Sequence, residues 1–299
     1  MKNRNTKIAQ LEDYIFSKYD LRINIITQEL EVKSKKDESF KILNINDLYY
    51  ELSHQGFKRY KDELSTILGS SIIKRYDPFE DYFENLVPYA ASKEPDHILM
   101  LSKFIKTDDQ KWFETAFRKF LVQVVGQSLN KIDFNKFCLT LVGEQHDGKT
   151  TFLDFLLPKP LNKYLKKGFD FGKSKEAKFS LVQNFIINLD ELASFEKKEL
   201  NNEFKAVLSE SLVKYRPLYS NQEATFMRKA SFLASTNQQE FLTDETGNVR
   251  WLIFNVREIN HDFGGKNGYN NQINIDRVWA QAYFLLQENF EFNFTSSEI

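Results

Sequence analysis

The first part of the chain alternates between helical and strand-like spacing of its apolar residues. Helical spacing predicts a helix over residues 8–19 and two more over residues 48–55 and 58–68. Apolar residues alternate over residues 21–32 around a polar turn, which predicts a β-ribbon. We therefore expect a small helical module with one ribbon, of the winged-helix type, over residues 1–76.

Longer helical patterns follow this module. A proline in the first turn predicts a helix over residues 79–86, and residues 97–129 carry one broad apolar face. Asp108 or Asp109 is the expected N-cap of the second helix. Such a face is typical of a structural helix, so we interpret residues 77–135 as a helical lead-in that packs on the core of the protein.

A strand, a glycine loop and a helix are predicted in direct succession near the middle of the chain. The apolar run at residues 137–142 predicts a buried strand, and residues 152–156 carry apolar side chains at helical spacing. Between them stands GEQHDGKTT, residues 143–151, which matches the pattern GxxxxGK[ST] of phosphate-binding loops. An ordinary glycine-containing turn is the alternative, and the flanking elements favour the phosphate-binding loop.

The residue types of this loop suit a nucleoside triphosphate. Gly143 and Gly148 let the backbone curl so that N–H groups point at phosphate oxygens, and the helix that begins near Lys149 adds its positive end. We expect Lys149 to reach the β- and γ-phosphates and the hydroxyl of Thr150 to bind Mg²⁺. The whole loop is predicted to contact the nucleotide: Gly143, Glu144, Gln145, His146, Asp147, Gly148, Lys149, Thr150 and Thr151.

A second apolar run ends in two carboxylates. Residues 185–189 have the length of a buried strand and are followed by Asp190 and Glu191. Parallel α/β sheets bind their ligands at the carboxyl ends of their strands. Asp190 is therefore expected to hold Mg²⁺ through its water shell, and Glu191 to polarise an attacking water. A solvated strand end is the alternative interpretation.

Alternating residues on both sides of a polar tip at residues 220–223 predict a β-hairpin. Its two arms carry a mixture of basic and aromatic residues, and the basic ones are Lys214, Arg216, Arg228 and Lys229. This mixture suits the backbone of a nucleic acid with bases stacked nearby. A solvated hairpin with incidental charge is the alternative.

Two further polar residues stand at predicted strand ends. Asn237 follows the apolar run at residues 232–234, where its amide would either orient water against the γ-phosphate or simply close a turn. Arg250 precedes a strand over residues 251–256, which suits an arginine that stabilises transition-state charge in its own subunit or in a neighbour. A surface arginine is the alternative for Arg250.

Composition limits the remaining classes of protein. The net charge of −1 over 299 residues gives no chain-wide basic field, so a nucleic-acid site must be a local patch. The single cysteine excludes a disulfide framework and a cysteine-rich zinc site. We see neither an apolar stretch of membrane-spanning length nor a secretory signal, and therefore expect a cytoplasmic protein with no membrane partner. The histidines are widely separated and are predicted to be structural or solvent-facing: His54, His97, His146 and His261.

Taken in order, five motifs resemble those of the virulence-associated protein E family, whose ATPase is related to superfamily 3 helicases. They are GEQHDGKTTF, FIINLDEL, YRPLY, ASTN and FLTDETGNVRW, and they lie within residues 137–256. The resemblance implies a Walker A loop, an acidic Walker B pair, a DNA-facing hairpin, a polar sensor and an arginine finger. By position these are residues 143–151, then Asp190 with Glu191, the hairpin from Lys214 to Lys229, Asn237, and Arg250.

The same resemblance implies a fold and a function. The fold would be an α/β P-loop NTPase, AAA+-like and of the superfamily 3 helicase type, with its ATPase core over residues 136–299 and a mainly helical N-terminal region. The function would be that of an ATP- and Mg²⁺-dependent DNA helicase or translocase of replication, encoded by a phage or mobile element. It would act as a homo-oligomeric ring, a hexamer, on single-stranded or forked DNA. We find no primase signature in the sequence, so a separate primase is expected as a partner.

Two other functions fit the same residues. A small-molecule P-loop kinase would phosphorylate an acceptor rather than water, but the combination of Glu191, Asn237 and Arg250 favours a water-attacking ATPase. A nucleotide-gated switch that binds DNA or protein would hydrolyse ATP without separating strands. The sequence does not distinguish this switch from a helicase.

Overall fold

The chain divides into two units, Met1–Asp81 and Tyr82–Ile299. The computed structural model describes residues 6–171, 174–189, 198–215, 223–237, 250–295 and 298. The division lies shortly after the end of the module expected at residues 1–76. The expected helical lead-in and ATPase core fall almost entirely within the second unit.

Between residues 6 and 77, the first unit contains three helices and a four-stranded sheet. In chain order its elements are α1 (Lys7–Lys18), β1 (Tyr19–Asn24), β2 (Leu30–Ser34), β3 (Lys41–Ile42), α2 (Ile45–His54), α3 (Lys61–Gly69) and β4 (Lys74–Tyr76). The strands lie in the order β3-β2-β1-β4. The predicted ribbon is the antiparallel pair of β1 and β2, whereas β4 joins β1 in parallel. Strands as short as β3 and β4 escape the sequence pattern because they carry too little alternation.

One carboxylate links two elements of the first unit to α2. Glu51 on α2 accepts hydrogen bonds of 2.6 Å from the hydroxyls of Tyr14 and Tyr19, and one of 2.7 Å from the ammonium of Lys18. The hydrogen bond to Glu51 raises the pKa of Tyr19 to about 12. The three helices also share an apolar core that includes Leu11, Ile15, Leu48, Leu52, Leu64 and Ile67.

Helices and strands alternate through most of the second unit. The helices are α4 (Pro78–Asn85), α5 (His97–Ser102), α6 (Gln110–Ser128), α7 (Lys149–Phe155), α8 (Lys175–Gln183), α9 (Lys198–Leu208), α10 (Tyr269–Gln272) and α11 (Ile275–Gln287), with a 3₁₀ helix at Lys159–Tyr164. The strands are β5 (Ile105–Thr107), β6 (Cys138–Val142), β7 (Leu165–Lys167), β8 (Ile186–Leu189), β9 (Leu212–Tyr215), β10 (Ala224–Met227), β11 (Ser231–Thr236) and β12 (Trp251–Ile259).

Six of these strands form one sheet in the order β5-β12-β6-β11-β8-β7. All neighbours are parallel except β5, which runs antiparallel to β12. After β6 the chain moves to the β7 edge and returns through β8 and β11, and β12 then lies on the other side of β6. Strand β6 is therefore the point at which the strand order reverses, and α/β sheets bind ligands in the crevice at such a point.

Alternate residues of the central strands face two helical layers. On one face, Phe232 of β11 packs in an apolar cluster with Leu181 of α8 and Phe204 of α9. On the other face, the ring of Phe254 on β12 lies 5.0 Å from that of Phe113 on α6. Strands β6, β8 and β11 are buried along their whole length, so most of their residues are apolar, as is usual for parallel sheets.

The prediction of one continuous helix over residues 97–129 is wrong for residues 103–109. This stretch forms two helices, α5 and α6, separated by β5, which pairs with β12 at the edge of the sheet. The predicted cap is confirmed, since the side chain of Asp109 accepts a hydrogen bond of 3.0 Å from the N–H of Trp112. Strand β5 is only three residues long, which is too short to show a strand pattern in the sequence.

The predicted hairpin is formed by β9 and β10, which pair antiparallel with Lys214 opposite Thr225. These two strands make a sheet of their own. Most of the predicted tip, residues 220–222, lies outside the described residues, as does Arg216.

Candidate functional site

The phosphate-binding loop predicted at residues 143–151 lies at the carboxyl end of β6, between β11 and β12. The N–H of Gly143 donates a hydrogen bond of 3.1 Å to the carbonyl of Thr236, the last residue of β11. Strands β6, β11, β8 and β12 are parallel, so their carboxyl ends lie on one side of the sheet. We call this side the carboxyl edge.

Each of the two glycines occupies a position where a side chain would fit only tightly. A Cβ atom on Gly143 would lie 3.1 Å from the carbonyl oxygen of Val256 and 3.1 Å from the carboxylate of Asp147. Gly148 has a φ of +79°, and a Cβ atom there would lie 3.1 Å from Cδ2 of His261. A side chain at Gly148 is thus disfavoured by both the backbone angle and the neighbouring ring.

Lys149 and Thr150 begin α7 directly behind the loop. The side chain of Lys149 is buried, and its ammonium donates a hydrogen bond back across the loop to the carbonyl of Glu144. The hydroxyl of Thr150 lies 3.2 Å from the hydroxyl of Ser235 on β11. A buried cation and a pair of hydroxyls therefore stand on the inner side of the loop.

The predicted acidic pair, Asp190 and Glu191, lies outside the described residues. The strand that leads to it, β8, reaches the carboxyl edge at Leu189, which pairs with Ala234 of β11. The expected Mg²⁺ site therefore rests on Thr150 among the described residues. In that part of the chain we find no cluster of three or more His, Cys, Asp or Glu residues arranged to hold a metal.

Asn237 joins the loop at the carboxyl edge. It follows Thr236, which pairs with Val142, the residue before Gly143. Its side chain is exposed. The fold thus brings the predicted sensor and the predicted phosphate loop together.

Arg250 lies at the opposite side of the sheet. Its carbonyl accepts a hydrogen bond of 2.9 Å from the N–H of Cys138, the first residue of β6. One terminal nitrogen of its guanidinium donates a hydrogen bond of 2.9 Å to the hydroxyl of Ser209. The length of β6 therefore separates Arg250 from the phosphate loop of its own chain, by about 15 Å at roughly 3.3 Å per residue.

The prediction that Arg228 and Lys229 contact DNA is wrong, because both side chains are buried. Arg228 is 0% exposed, and its guanidinium donates hydrogen bonds of 3.0 Å to the carbonyl of Val207 and 3.2 Å to the side chain of Gln127. It also donates to the carbonyl of Asn135. Burial lowers the pKa of Arg228 to about 9.

Arg228 and Lys229 are buried because they donate hydrogen bonds to carbonyls at the ends of helices. Lys229 donates a hydrogen bond of 2.7 Å to the carbonyl of Ser128, the last residue of α6. The carbonyl of Val207, which Arg228 binds, lies in the last turn of α9. The final carbonyls of a helix lack intrahelical partners, and a cation satisfies them while it complements the helix dipole. These two residues therefore fix the base of the hairpin on the core instead of facing solvent.

Of the basic residues predicted to bind DNA, Lys214 is exposed on β9 as expected. Its carbonyl accepts a hydrogen bond of 3.4 Å from the ammonium of Lys178 on α8. Lys178 is thus a second cation beside the hairpin. It escapes sequence reasoning because it lies on a separate helix.

His261, which was predicted to be structural or solvent-facing, is half-buried and lies beside the phosphate loop. Its ring limits the space at Gly148, as the geometry of that glycine requires. The N–H of Phe263 donates a hydrogen bond of 3.0 Å to its Nδ1 atom. No sequence signal identifies this contact, because His261 belongs to a polar loop that carries no recognisable motif.

Comparison with known proteins places this geometry in a family. The family model described as the virulence-associated protein E-like domain matches residues 88–298. Comparison with curated proteins gives no significant match. Among the described residues, no helix has the length and apolarity needed to cross a membrane.

Solved structures share the fold at low identity. The apo structure of the NrS-1 C terminal region (305-718) has a TM-score of 0.58 and 12% identity, over 98% of this chain and 71% of that chain. An A form apo structure of the same region has a TM-score of 0.54 and 13% identity, over 92% and 68%. A structure of the SCCmec type IV Cch active helicase is 14% identical over 92% of this chain and 62% of its own, but its TM-score of 0.40 is too low to support a conclusion. Because the family model covers well over half of its residues, the chain belongs to the virulence-associated protein E-like family.

Proposed function

We propose that this chain is an ATP-dependent DNA helicase or translocase of replication, carried by a phage or mobile element, with residues 143–151 as its nucleotide-binding loop. The observation that carries the proposal is the geometry of that loop. It lies at the carboxyl end of the strand where the sheet order reverses, and a Cβ atom on either of its two glycines would lie only 3.1 Å from a neighbouring atom. From this arrangement and from the family we infer a P-loop NTPase fold, AAA+-like and of the superfamily 3 type.

Lys149 is the residue that would bind the β- and γ-phosphates. Its buried ammonium donates to the carbonyl of Glu144 on the far side of the loop. A phosphate oxygen accepts a stronger, charge-assisted hydrogen bond than a carbonyl does. We therefore expect ATP to replace the carbonyl of Glu144 as a partner of Lys149, while loop N–H groups donate to the remaining phosphate oxygens.

The expected metal is Mg²⁺, which takes one or two protein ligands and completes its shell with phosphates and water. The hydroxyl of Thr150 suits it, and Asp190 would bind through the water shell. When bound, Mg²⁺ neutralises charge on the β- and γ-phosphates. Glu191 would polarise the attacking water, and Asn237, at the same edge of the sheet, would orient it.

Arg250 is proposed to act in the nucleotide site of a neighbouring chain. The length of β6 keeps it away from the loop that precedes Lys149 in its own chain. A homo-oligomeric ring, which we expect to be a hexamer, would bring the amino side of one sheet to the carboxyl edge of the next. In this arrangement Arg250 would exchange its contact with Ser209 for the γ-phosphate of the neighbour.

The hairpin of β9 and β10 is the proposed DNA contact. Lys214 is exposed on its first strand, Lys178 lies beside it, and Arg216 is predicted to follow on the same arm. Arg228 fixes the end of the second strand to α9 and to the end of α6. Single-stranded or forked DNA is the expected ligand, a separate primase the expected partner and the cytoplasm the expected compartment.

The proposal is tested by measuring ATP hydrolysis with and without single-stranded DNA, together with unwinding of a forked duplex. We expect Mg²⁺-dependent hydrolysis that single-stranded DNA stimulates, and strand separation that requires hydrolysis. Glu191→Gln should retain ATP binding and lose roughly 10²-fold or more in turnover, as expected for a lost general base. Stimulated hydrolysis without unwinding would assign the chain to the nucleotide-gated switches, and phosphate transfer to an acceptor other than water would make it a kinase.

A further inference from the structure

The loop that follows β12, residues 260–268, lies directly against the phosphate loop. Its closest contact is the ring of His261, whose Cδ2 atom lies 3.1 Å and whose Nε2 atom lies 3.7 Å from the position of a Cβ atom on Gly148. We call residues 260–268 the apposed loop. Sequence motifs assign no role to it, and the proposed chemistry of ATP hydrolysis does not use it.

The apposed loop has a strained backbone. Asp262 and Phe263 both have a φ of +44°, and Gly264 follows with +84°. A residue with a side chain costs roughly 1–2 kcal/mol in this left-handed region. Strain of this kind persists only where surrounding contacts enforce it, and it is concentrated at binding and catalytic sites.

Specific hydrogen bonds enforce the strained conformation. The carboxylate of Asp262 accepts a hydrogen bond of 2.8 Å from the N–H of Asn267. The side chain of Asn271 donates to the carbonyls of Gly264 and Gly265 at 3.0 and 2.9 Å. The apposed loop therefore has one defined shape.

An aromatic anchor fixes the apposed loop to the helix behind the phosphate loop. Tyr269, immediately after it, is completely buried. Its ring lies 5.2 Å from that of Phe152 and 4.9 Å from that of Phe155, both on α7. Since α7 begins at Lys149, the apposed loop and the phosphate-binding residues are held on the same element.

Within this rigid loop, Phe263 is directed into solvent. It is 97% exposed, and its ring centroid lies 4.8 Å from that of His261 with the two planes nearly perpendicular. The strained backbone thus presents a large apolar ring that gains no burial from the fold. The ring of Phe263 therefore lies beside the imidazole of His261, which in turn lies beside Gly148 of the phosphate loop.

His261 presents a donor on the side of Gly148. Its Nδ1 atom accepts the hydrogen bond from the N–H of Phe263, so the neutral ring carries its proton on Nε2. The Nε2 atom is the ring nitrogen that faces the phosphate loop. An oxygen of a bound phosphate or ribose would be a suitable acceptor for it.

We propose that the apposed loop is the nucleoside side of the nucleotide site. Phe263 stacks on the base of the bound nucleoside triphosphate, and His261 donates to an oxygen between the base and the terminal phosphates. This inference rests on the proposed function, because it extends the same site. Stacking uses the face of the base, which all bases share, so Phe263 adds affinity for a base without selecting adenine.

The test compares ligands with and without a base on the full-length chain. We would titrate wild type and Phe263→Ala with a non-hydrolysable ATP analogue, the corresponding GTP analogue and inorganic tripolyphosphate in the presence of Mg²⁺. Phe263→Ala should weaken both nucleotides by about 10-fold, a typical effect of losing one aromatic–base stack. Its affinity for tripolyphosphate should equal that of wild type, and Phe263→Trp should retain nucleotide binding.

Tyr50→Ala is the matched control. Tyr50 is also an exposed aromatic residue, with 71% exposure and a histidine ring 4.4 Å away at His54, but it belongs to the first unit. Tyr50→Ala should leave the affinities for both nucleotide analogues and for tripolyphosphate unchanged. Because Phe263 is exposed, its removal should also leave the melting temperature unchanged.

Three results would overturn the inference in distinguishable ways. Equal nucleotide affinities for wild type and Phe263→Ala would mean that the base lies elsewhere, with the proposed function intact. Equal losses for nucleotides and tripolyphosphate would mean that Phe263 shapes the phosphate loop rather than contacting a base. A wild-type chain that binds neither class of ligand would overturn the proposed function itself.

Discussion

The N–H of Cys138 donates a hydrogen bond of 2.9 Å to the carbonyl of Arg250 at the amino end of β6. Lys149 follows the carboxyl end of the same strand. The proposed finger and the proposed phosphate-binding lysine of one chain therefore lie on opposite sides of one sheet. Hydrogen bonding with β6 fixes β12 in register, so Arg250 cannot approach its own phosphate loop while the sheet is intact.

The effect on stability of the contact between Gly148 and His261 can be measured separately from the effect of the backbone angle of Gly148. Gly148→Ala and Gly168→Ala both introduce a side chain at positive φ, +79° and +73°, which costs roughly 1–2 kcal/mol. Only at Gly148 does the new Cβ atom also meet a neighbour, because nothing lies within 4 Å of the same position on Gly168. Chemical denaturation should therefore show a larger loss in the free energy of unfolding for Gly148→Ala than for Gly168→Ala.

The excess loss at Gly148 should disappear when the ring is removed. In the background of His261→Ala, Gly148→Ala should cost no more than Gly168→Ala costs in wild type. An excess that survives the removal of the imidazole would mean that the ring of His261 does not limit the phosphate loop.

The phosphate loop could be predicted from sequence because its signals are local. The strand, the glycine pattern and the helix are consecutive in the chain, and the structure has them in the predicted places. The burial of Arg228 had no such signal, since its partner Gln127 is 101 residues away and belongs to a helix end. The contact of His261 with Gly148 likewise depends on where β12 lies beside β6, which apolar spacing does not encode. The mixture of basic and aromatic residues predicted DNA contact for all four basic residues of the hairpin, but tertiary packing buries Arg228 and Lys229.

Arg228 is expected to act on stability. Arg228→Met removes the donors to the carbonyls of Val207 and Asn135 and to the side chain of Gln127. The carbonyl of Val207 and the side chain of Gln127 keep the N–H groups of Glu210 and Asn135 as donors, whereas the carbonyl of Asn135 loses its charged donor. Since a lost hydrogen bond to a charged group costs about 1.5–3 kcal/mol, we expect a loss of roughly 2–4 kcal/mol in the free energy of unfolding. Lys214→Ala, which changes an exposed residue on the same hairpin, should leave the unfolding curve within about 0.5 kcal/mol of wild type. Similar curves for the two variants would contradict the anchoring role of Arg228.

Lys214, Arg216 and Lys178 are expected to act on DNA affinity instead. Replacing each with Ala should weaken binding of single-stranded DNA and reduce the slope of log K against log salt by roughly 0.7 per lost phosphate contact. ATP hydrolysis without DNA should be unaffected, because the hairpin is remote from the phosphate loop in sequence and belongs to a separate sheet. Lys111→Ala, an exposed lysine on α6, is the control and should leave the salt slope unchanged. A wild-type slope in the triple variant would assign the DNA contact to another surface.

Glu94 should make the stability of the second unit depend on pH in the acidic range. Its carboxylate accepts hydrogen bonds from Arg277 and, at 2.9 Å, from the N–H of Ala90, which together lower its pKa from 4.5 to about 2. A carboxyl group with a lowered pKa in the folded state contributes stability that is fully present above its unfolded value and is lost as pH falls. The stability difference between wild type and Glu94→Gln should therefore be constant above pH 4.5 and shrink towards pH 2. A stability difference that stays the same between pH 4.5 and pH 2 would contradict this role of Glu94.

Arg250 provides the test of assembly, because an arginine that acts in a neighbouring site makes turnover depend on mixed chains. Arg250→Ala alone should bind ATP and lose roughly 10³-fold in hydrolysis, the scale of a lost arginine finger. Lys149→Ala alone should fail to bind ATP. Mixing the two should restore part of the turnover, since an intact phosphate loop on the first variant meets an intact Arg250 on the second. The mixture of Arg250→Ala with Lys149→Ala/Arg250→Ala chains is the matched control, and it should show no rescue.

If mixed rings form, as measured by mass, and turnover still stays at the level of the single variants, Arg250 does not act between chains. The length of β6 would then rule out a direct role at either nucleotide site, and Arg250 would be a structural partner of Ser209.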